Sequence, residues 1–198
     1  MVKLVNIDML EFKQLLYEEY IKLFPKGERK SYKLLNESYK KGILSVIKII
    51  QDSVCVGFIM TNSIKASKYL QIDYLAILPK YQGKGLGTEA LMALKESSTQ
   101  YNGIFIEIER IGLGKNEQEN ILRERRKKFY ERIGFYKLNF DLDLYNVIYT
   151  PYVLLTSDTI EDDEKILKSI FKIYNVILGE QRVKEHCSYI KDDVYGNV

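Results

Sequence analysis

Glycines at 83, 85 and 87 alternate with Lys84 and Leu86 in the run Gln82-Gly83-Lys84-Gly85-Leu86-Gly87, and a helical pattern opens at Thr88. Glycine has no Cβ to hold an anion away from the backbone, so successive N–H groups in such a turn can point inward. A helix N-terminus adds about half a positive charge. The chemistry on offer is phosphate binding. Spacing excludes two phosphate loops. A nucleotide-hydrolase loop needs G-x-x-x-x-G-K-[ST], whereas Lys84 sits between glycines and no Lys-Ser or Lys-Thr follows them. A dinucleotide fingerprint, G-x-G-x-x-G, needs its third glycine where Thr88 stands.

What fits is Q-x-x-G-x-G at Gln82, Gly85 and Gly87, preceded by an apolar strand and Pro79. It resembles the pyrophosphate-binding motif of the GNAT acetyltransferase superfamily, where the ligand is acetyl-CoA. Downstream, Phe129-Tyr130-Glu131-Arg132-Ile133-Gly134-Phe135 resembles the helix end and Gly-Phe turn of that superfamily's other recurrent motif. The resemblance covers residues 2–157. It implies a mixed, mostly antiparallel central sheet with helices on both faces. It also implies an N-acetyltransferase that moves the acetyl group of acetyl-CoA to a primary amine of a small molecule or peptide, by direct attack in a ternary complex. A non-catalytic acyl-CoA-binding protein is the alternative, and a nucleic-acid-binding module ranks third.

The resemblance also distributes roles. The backbone of Leu75, Ala76 and Ile77 would hold the pantetheine arm, with an N–H at Ile77 or Leu78 as oxyanion donor. The amides of Gly83, Lys84, Gly85, Leu86, Gly87 and Thr88 would take the pyrophosphate, with Gln82 at its edge. Tyr130 matches the family's general acid and Glu107 its general base. Glu109, Asp73 or a water are alternatives for the base. No metal is implied. Two departures stand out: counting back from Tyr130, Arg123 occupies the position of a frequent coenzyme A-binding asparagine, and Arg126 that of a small residue. The loop after Glu107 is longer than in the minimal family. The segment 24–29, where the family's variable acceptor-side helices lie, offers Glu28 or Arg29 to a substrate.

Acetyl transfer from a thioester to an amine needs a neutral amine, support for an oxyanion and a proton for the leaving thiolate. A tyrosine near pKa 10 giving its proton to a thiol of pKa about 8.5 works uphill by roughly 2 kcal/mol. Arg123, Arg126 and Lys127 lie within about two helical turns of Tyr130 and are the cations available to tilt that balance. The need for a base depends on the acceptor. An α-amine near pKa 8 is about a tenth neutral at pH 7, a lysine-like amine near 10.4 only about four parts in ten thousand.

The elements that must position these residues follow from periodicity. Asp8 with Glu11 forms a helix-opening pair, and the apolar residues from Phe12 to Leu23 keep a helical period that ends at Phe24-Pro25. Residues 43–50 and 54–60 read as β-branched strands around Gln51-Asp52-Ser53, a hairpin. Strand 69–78 leads into the glycine turn, then a helix from Thr88 to about Gln100, a stop at Asn102-Gly103, strand 104–109, a polar loop, and a charged helix from about Glu117 to Arg132. FYKLNFDLDLY and VIYTPYVLLT are two more strands. Beyond this acetyltransferase domain (1–157), residues 158–198 form a helical extension packed on the core or at a dimer contact. Its opening acids, 161–164, complement a helix N-terminus, Leu167, Phe171, Tyr174 and Leu178 form its apolar stripe, and Gly179 breaks it.

The whole chain sets the bounds. Its 198 residues suit one domain with an extension, and 30 basic against 27 acidic residues leave no broad electrostatic footprint for nucleic acid. RERRKKF at 123–129 is a solvated helix face on this reading. No stretch reaches the roughly 18 apolar residues of a membrane span. Asp8 and Glu11 interrupt the place where a signal peptide keeps its apolar run, so the cytoplasm is the expected location. The two cysteines, Cys55 and Cys187, are expected to stay reduced. His186 and Cys187, read as neighbours on one helix, do not face each other.

Overall fold

The computed structural model describes residues 1–159 and 161–191. The chain forms two compact units, one of residues 1–65 and 70–98, the other of residues 66–69 and the described residues from Thr99 onward.

The first unit begins with β1 (Lys3–Ile7), then α1 (Met9–Leu15) and α2 (Tyr17–Leu23). Asp8 caps α1 by accepting the N–H of Glu11 at 2.8 Å, and the helical run breaks at Leu16 before α2 ends at Phe24 as the sequence predicts. A helix absent from the sequence reading follows, α3 (Tyr32–Lys40), capped by the Ser31 hydroxyl. Then come β2 (Leu44–Gln51), β3 (Val54–Asn62) and β4 (Tyr69–Ile77), ordered β1-β2-β3-β4 and antiparallel throughout. The β2–β3 turn falls at Asp52 and Ser53, both at positive φ, the mirror-image geometry that suits tight hairpins. A 3-10 turn at Pro79–Tyr81 leads to α4 (Leu86–Glu96). This helix starts two residues before the Thr88 expected, because Gly85 itself is the cap, and it ends at Glu96 with Ser97 as its C-cap, short of the expected Gln100.

The core of this unit is aromatic. Phe12, Tyr20 and Phe58 are fully buried, and Tyr20 meets Tyr74 edge-on at 5.0 Å. Their hydroxyls do structural work on the segment before α3. Tyr74 donates to the Glu28 carbonyl at 2.7 Å, and Tyr20 accepts the Lys30 N–H at 2.8 Å. A buried phenol needs a partner, and this loop backbone supplies it.

The second unit is built on β5 (Gly103–Glu109), α5 (Glu117–Ile133), β6 (Tyr136–Lys137), β7 (Phe140–Leu144) and β8 (Val147–Leu155), followed by α6 (Asp163–Leu178), α7 (Glu180–His186) and β9 (Cys187–Lys191). Its strands run in the order β5-β8-β7-β9, all antiparallel, with β6 also on β8. Asp141, 2% exposed, is held by Arg110 and by the Thr150 hydroxyl, each at 2.7 Å. A buried carboxylate needs such pairing.

The extension differs from its expected stripe. α6 spans the predicted helix and ends at Gly179, yet the buried positions are Ile166, Ile170, Ile173 and Tyr174. Of the four expected stripe residues only Tyr174 belongs to that face. Leu167 and Phe171 line instead a cavity of about 750 Å³, together with Phe140, Lys168, Tyr189 and Lys191 among others. The isoleucine positions 166, 170 and 173 are spaced by four and three, and this second helical row outcompetes the aromatic one for the core. His186 and Cys187 do not share a helix: α7 ends at His186, which stacks on Tyr145, and β9 begins at Cys187.

Candidate active site

In the first unit, β4 delivers the chain to the glycine turn. Gly83 has φ +76° and Gly85 φ +79°, and a Cβ built at either would meet nothing within 4 Å. Only glycine takes these left-handed values without cost, and the space where side chains would stand is open. The first intrahelical bond of α4 runs from the Glu89 N–H to the Gly85 carbonyl at 3.1 Å. The amides of Leu86, Gly87 and Thr88 therefore lie ahead of the ladder, at the positive end of an 11-residue helix. Leu86 is buried, so its side chain anchors the turn. Lys84 is exposed, with its ammonium 5.9 Å from the Tyr81 ring centre.

Gln82 folds back on the strand it follows, donating from Nε2 to the Ile77 carbonyl at 2.9 Å. Leu78 donates its N–H to the Val56 carbonyl at 2.9 Å. That bond removes Leu78 as an oxyanion donor. Alternation along a strand directs the Ile77 N–H to the opposite edge of β4, away from β3. The same strand pair contains a glycine whose importance the sequence reading missed. A Cβ on Gly57 would stand 2.3 Å from the Ala76 carbonyl oxygen and 3.1 Å from the Ile77 Cα. Gly57 lets β3 approach the segment Leu75, Ala76 and Ile77 at close range. Its signal in the sequence was a lone glycine inside a strand pattern.

Asp73, the alternative base on β4, is ion-paired with Lys30 at 2.5 Å, both side chains largely buried. Arg29 spends its guanidinium on the Ile21 carbonyl at 2.7 Å. Both residues secure the loop ahead of α3.

In the second unit, Tyr130 lies on the last turns of α5. Gly134 closes this helix at φ +101°, with the Phe135 N–H donating to the Tyr130 carbonyl at 3.1 Å and the Gly134 N–H to that of Glu131 at 3.0 Å. This paired closure is a Schellman motif and explains the Gly-Phe turn. It buries Phe135, whose ring meets that of Tyr130 edge-on at 5.3 Å. The tyrosine ring is thereby fixed on both sides, since Phe129 meets it at 5.0 Å. Burial pushes the Tyr130 phenol up to about 12, against which the Arg126 charge pulls down. At neutral pH this group carries its proton.

The other expected cations do different work. Arg123 is 8% exposed, donates to the Arg110 carbonyl at 2.8 Å and pairs with Glu109 at 3.2 Å. It ties α5 to the end of β5 as a structural clamp. Lys127 lies 3.8 Å from Glu124. The long loop after β5 is also organised: the side-chain oxygen of Asn120 accepts the N–H groups of Gly112 and Gly114, each at 2.9 Å.

Glu107 and Glu109 share one face of β5, as the alternation predicts. Their partners separate them. Glu109 faces Arg123, whereas Glu107 accepts a hydrogen bond from the Tyr174 hydroxyl of α6. Among the described residues, no group of histidine, cysteine or acidic side chains could hold a metal ion, and no helix is long and apolar enough to cross a membrane.

A model of the acetyltransferase (GNAT) family matches residues 9–135. No curated protein matches the chain by sequence. Among solved structures, a protein assigned to the GNAT acetyltransferases from Bacteroides thetaiotaomicron is similar at TM-score 0.68 and 21% identity, covering 89% of this chain and 98% of its own. The ribosomal-protein-S18-alanine N-acetyltransferase of Escherichia coli follows at TM-score 0.57 and 15% identity, covering 81% and 97%. The dodecameric spermidine N-acetyltransferase of Vibrio cholerae reaches 0.56 at 13%, covering 79% and 94%. The shared fold is the mixed, mostly antiparallel sheet with helices that the sequence implied.

Proposed function

This chain belongs to the acetyltransferase (GNAT) family, and we propose that it transfers the acetyl group of acetyl-CoA to a primary amine of a small molecule or peptide, by direct attack in a ternary complex. The observation that carries the reading is the turn after β4, where Gly83 and Gly85 take left-handed values, the space their side chains would fill is open, and a helix starts at once. Such a cradle suits a pyrophosphate. Acetyl-CoA, when bound, supplies the activated acetyl thioester.

The chain's own residues divide the remaining work. The backbone of Leu75, Ala76 and Ile77 holds the pantetheine arm, and the Ile77 N–H supports negative charge on the reacting carbonyl oxygen. The amides of residues 83–88 hold the pyrophosphate, while Gln82 clamps the turn through the Ile77 carbonyl. Tyr130 gives a proton to the departing sulfur. Glu107 takes one from the amine. With Tyr130 raised to about 12, proton donation to an ordinary thiolate is uphill by about 5 kcal/mol. Without the Arg126 charge the phenol would lie higher still. Residues 1–157 form the transferase domain on this reading, 158–198 its extension, and the protein works in the cytoplasm.

The deciding experiment offers acetyl-CoA with α-amino peptides, polyamines and lysine derivatives and measures release of free coenzyme A thiol. Release with one class of amine identifies the acceptor. Acetyl-CoA binding without release from any amine supports the non-catalytic alternative, and the absence of binding sinks both.

A further inference from the structure

Tyr174 is 4% exposed, and its hydroxyl reaches the Glu107 carboxylate from 67 residues further along the chain. A tyrosine this deeply buried has to satisfy its O–H, and a carboxylate is the strongest neutral-to-charged acceptor available. The position of the hydroxyl is set by anchors that have nothing to do with Glu107. Asp162 caps α6 by accepting the Lys165 N–H at 2.9 Å, Asp163 accepts the Asn139 N–H at 2.7 Å, and Ile166, Ile170 and Ile173 are fully buried beside Tyr174. The helix thus arrives at β5 with a fixed rotation. Packing alone would have been met by phenylalanine at this position. The hydroxyl is the added feature, and it is aimed at the carboxylate assigned as the base.

We propose that Tyr174 is a positioning residue for acetyl transfer, its hydroxyl fixing the Glu107 carboxylate and holding it in the ionised form that accepts the proton of the acceptor amine. The inference rests on the reading of Glu107 as that base. It makes the C-terminal extension part of the reaction machinery. In the step itself the proton passes from the ammonium nitrogen to a Glu107 oxygen, and the phenolic proton stays on Tyr174. Burial first, and then the Glu107 charge, hold the Tyr174 phenol well above its ordinary value. Tyr149 on β8 and Cys187 at the start of β9 also act on that phenol, and Asp143 on β7 acts on the Cys187 thiol. Glu109, two residues along β5, is paired with Arg123.

The test compares wild type, Tyr174→Phe, Glu107→Gln and the double variant. Phenylalanine keeps the ring, so a melting temperature near that of wild type is expected. Glutamate carboxyls labelled with ¹³C are titrated by NMR, with the Glu107 resonance assigned by its loss in Glu107→Gln. A hydrogen bond donated to a charged group shifts the titration by about one to two pH units when removed. The Glu107 midpoint should rise by that amount in Tyr174→Phe. The acid limb of kcat/KM, measured with the amine that gives the largest thiol release, should rise with it. In the Glu107→Gln background the Tyr174→Phe change should have no further effect on turnover. An unmoved Glu107 midpoint overturns the proposal. So does a moved midpoint with an unmoved acid limb, because Glu107 is then not the base. Thiol release by wild type separates these failures from failure of the transferase reading, which shows no release with any amine whether acetyl-CoA binding, measured by calorimetry, is kept or lost.

Discussion

Gly85 carries two costs that substitution can separate. Its φ of +79° lies in the left-handed region, and a Cβ there would meet nothing within 4 Å. Substitution by an L-residue therefore costs backbone strain alone, about 1–2 kcal/mol, with no protein clash added. For a chain of this size each kcal/mol moves Tm by about 2–4 °C. Gly85→Val should melt about 2–8 °C below wild type. Gly85→Asn should lose much less, since asparagine tolerates the left-handed region.

The ligand cost is different in kind. Either side chain would occupy space that is open in wild type at this turn, and on the proposed reading both should exclude a pyrophosphate. In wild type, acetyl-CoA at 100 times its dissociation constant adds about 2.7 kcal/mol, a rise of about 5–11 °C. Thermal melts across an acetyl-CoA titration, with calorimetry for the dissociation constant, resolve the two effects. The informative variant is Gly85→Asn: near-normal stability together with loss of most of the acetyl-CoA shift. Wild-type affinity in both variants would refute the reasoning and move the phosphate site away from this turn.

Other perturbations test other parts. Gly57→Ala forces a shift of backbone, because its Cβ would lie 2.3 Å from the Ala76 oxygen. It should cost about 1–3 kcal/mol in urea unfolding and weaken acetyl-CoA binding through the displaced Ala76-Ile77 segment. Tyr130→Phe keeps the ring that packs on Phe135 and should lower kcat by about 10²–10⁴ while leaving acetyl-CoA affinity unchanged in calorimetry. Equal turnover would make Tyr130 a packing residue. Alkaline stability follows from the tyrosines. Tyr130 and Tyr152 are both pushed up to about 12 by burial, so between pH 10 and 12 the unfolded chain has released protons that the folded chain retains. The sign is then fixed: stability is full below about pH 10 and falls as pH rises to 12, which chemical melts at pH 9, 10.5 and 11.5 would show or contradict. Deleting residues 158–198 exposes the partners of Ile166, Ile170, Ile173 and Tyr174, and light scattering should find aggregation or a changed mass.

Much of the fold was legible because it is written locally. The hairpin around Asp52 and Ser53, the Asp8 cap, the Gly134 closure and the glycine turn each depend on a few consecutive residues with fixed conformational preferences. The misses share a different cause. α3 is nine residues long and mostly polar, with Leu35 its one buried residue, so its Ser31 cap stood without a long apolar run beside it in the sequence. α4 began early because glycine served as cap, where the usual cap signal is an oxygen-bearing side chain. The α6 face was misread because two helical rows compete, and only tertiary packing decides between Ile166-Ile170-Ile173 and Leu167-Phe171.

The acidic pair on β5 marks the limit of what spacing can say about chemistry. Glu107 and Glu109 are equivalent in sequence, two apart on one strand face. They differ through partners 67 and 14 positions away, since Tyr174 donates to Glu107 and Arg123 pairs with Glu109. An arginine at short range engages a carboxylate through charge-assisted contacts. A neutral phenol gives a directed hydrogen bond without cancelling the charge. On the proposed reading the Tyr174 hydroxyl orients Glu107, while Glu109 is held against Arg123 at 3.2 Å. The proposal of Glu107 as the base comes from the resemblance, and two long-range contacts now distinguish it from Glu109, one of them supplied by a helix outside the family-matched residues 9–135.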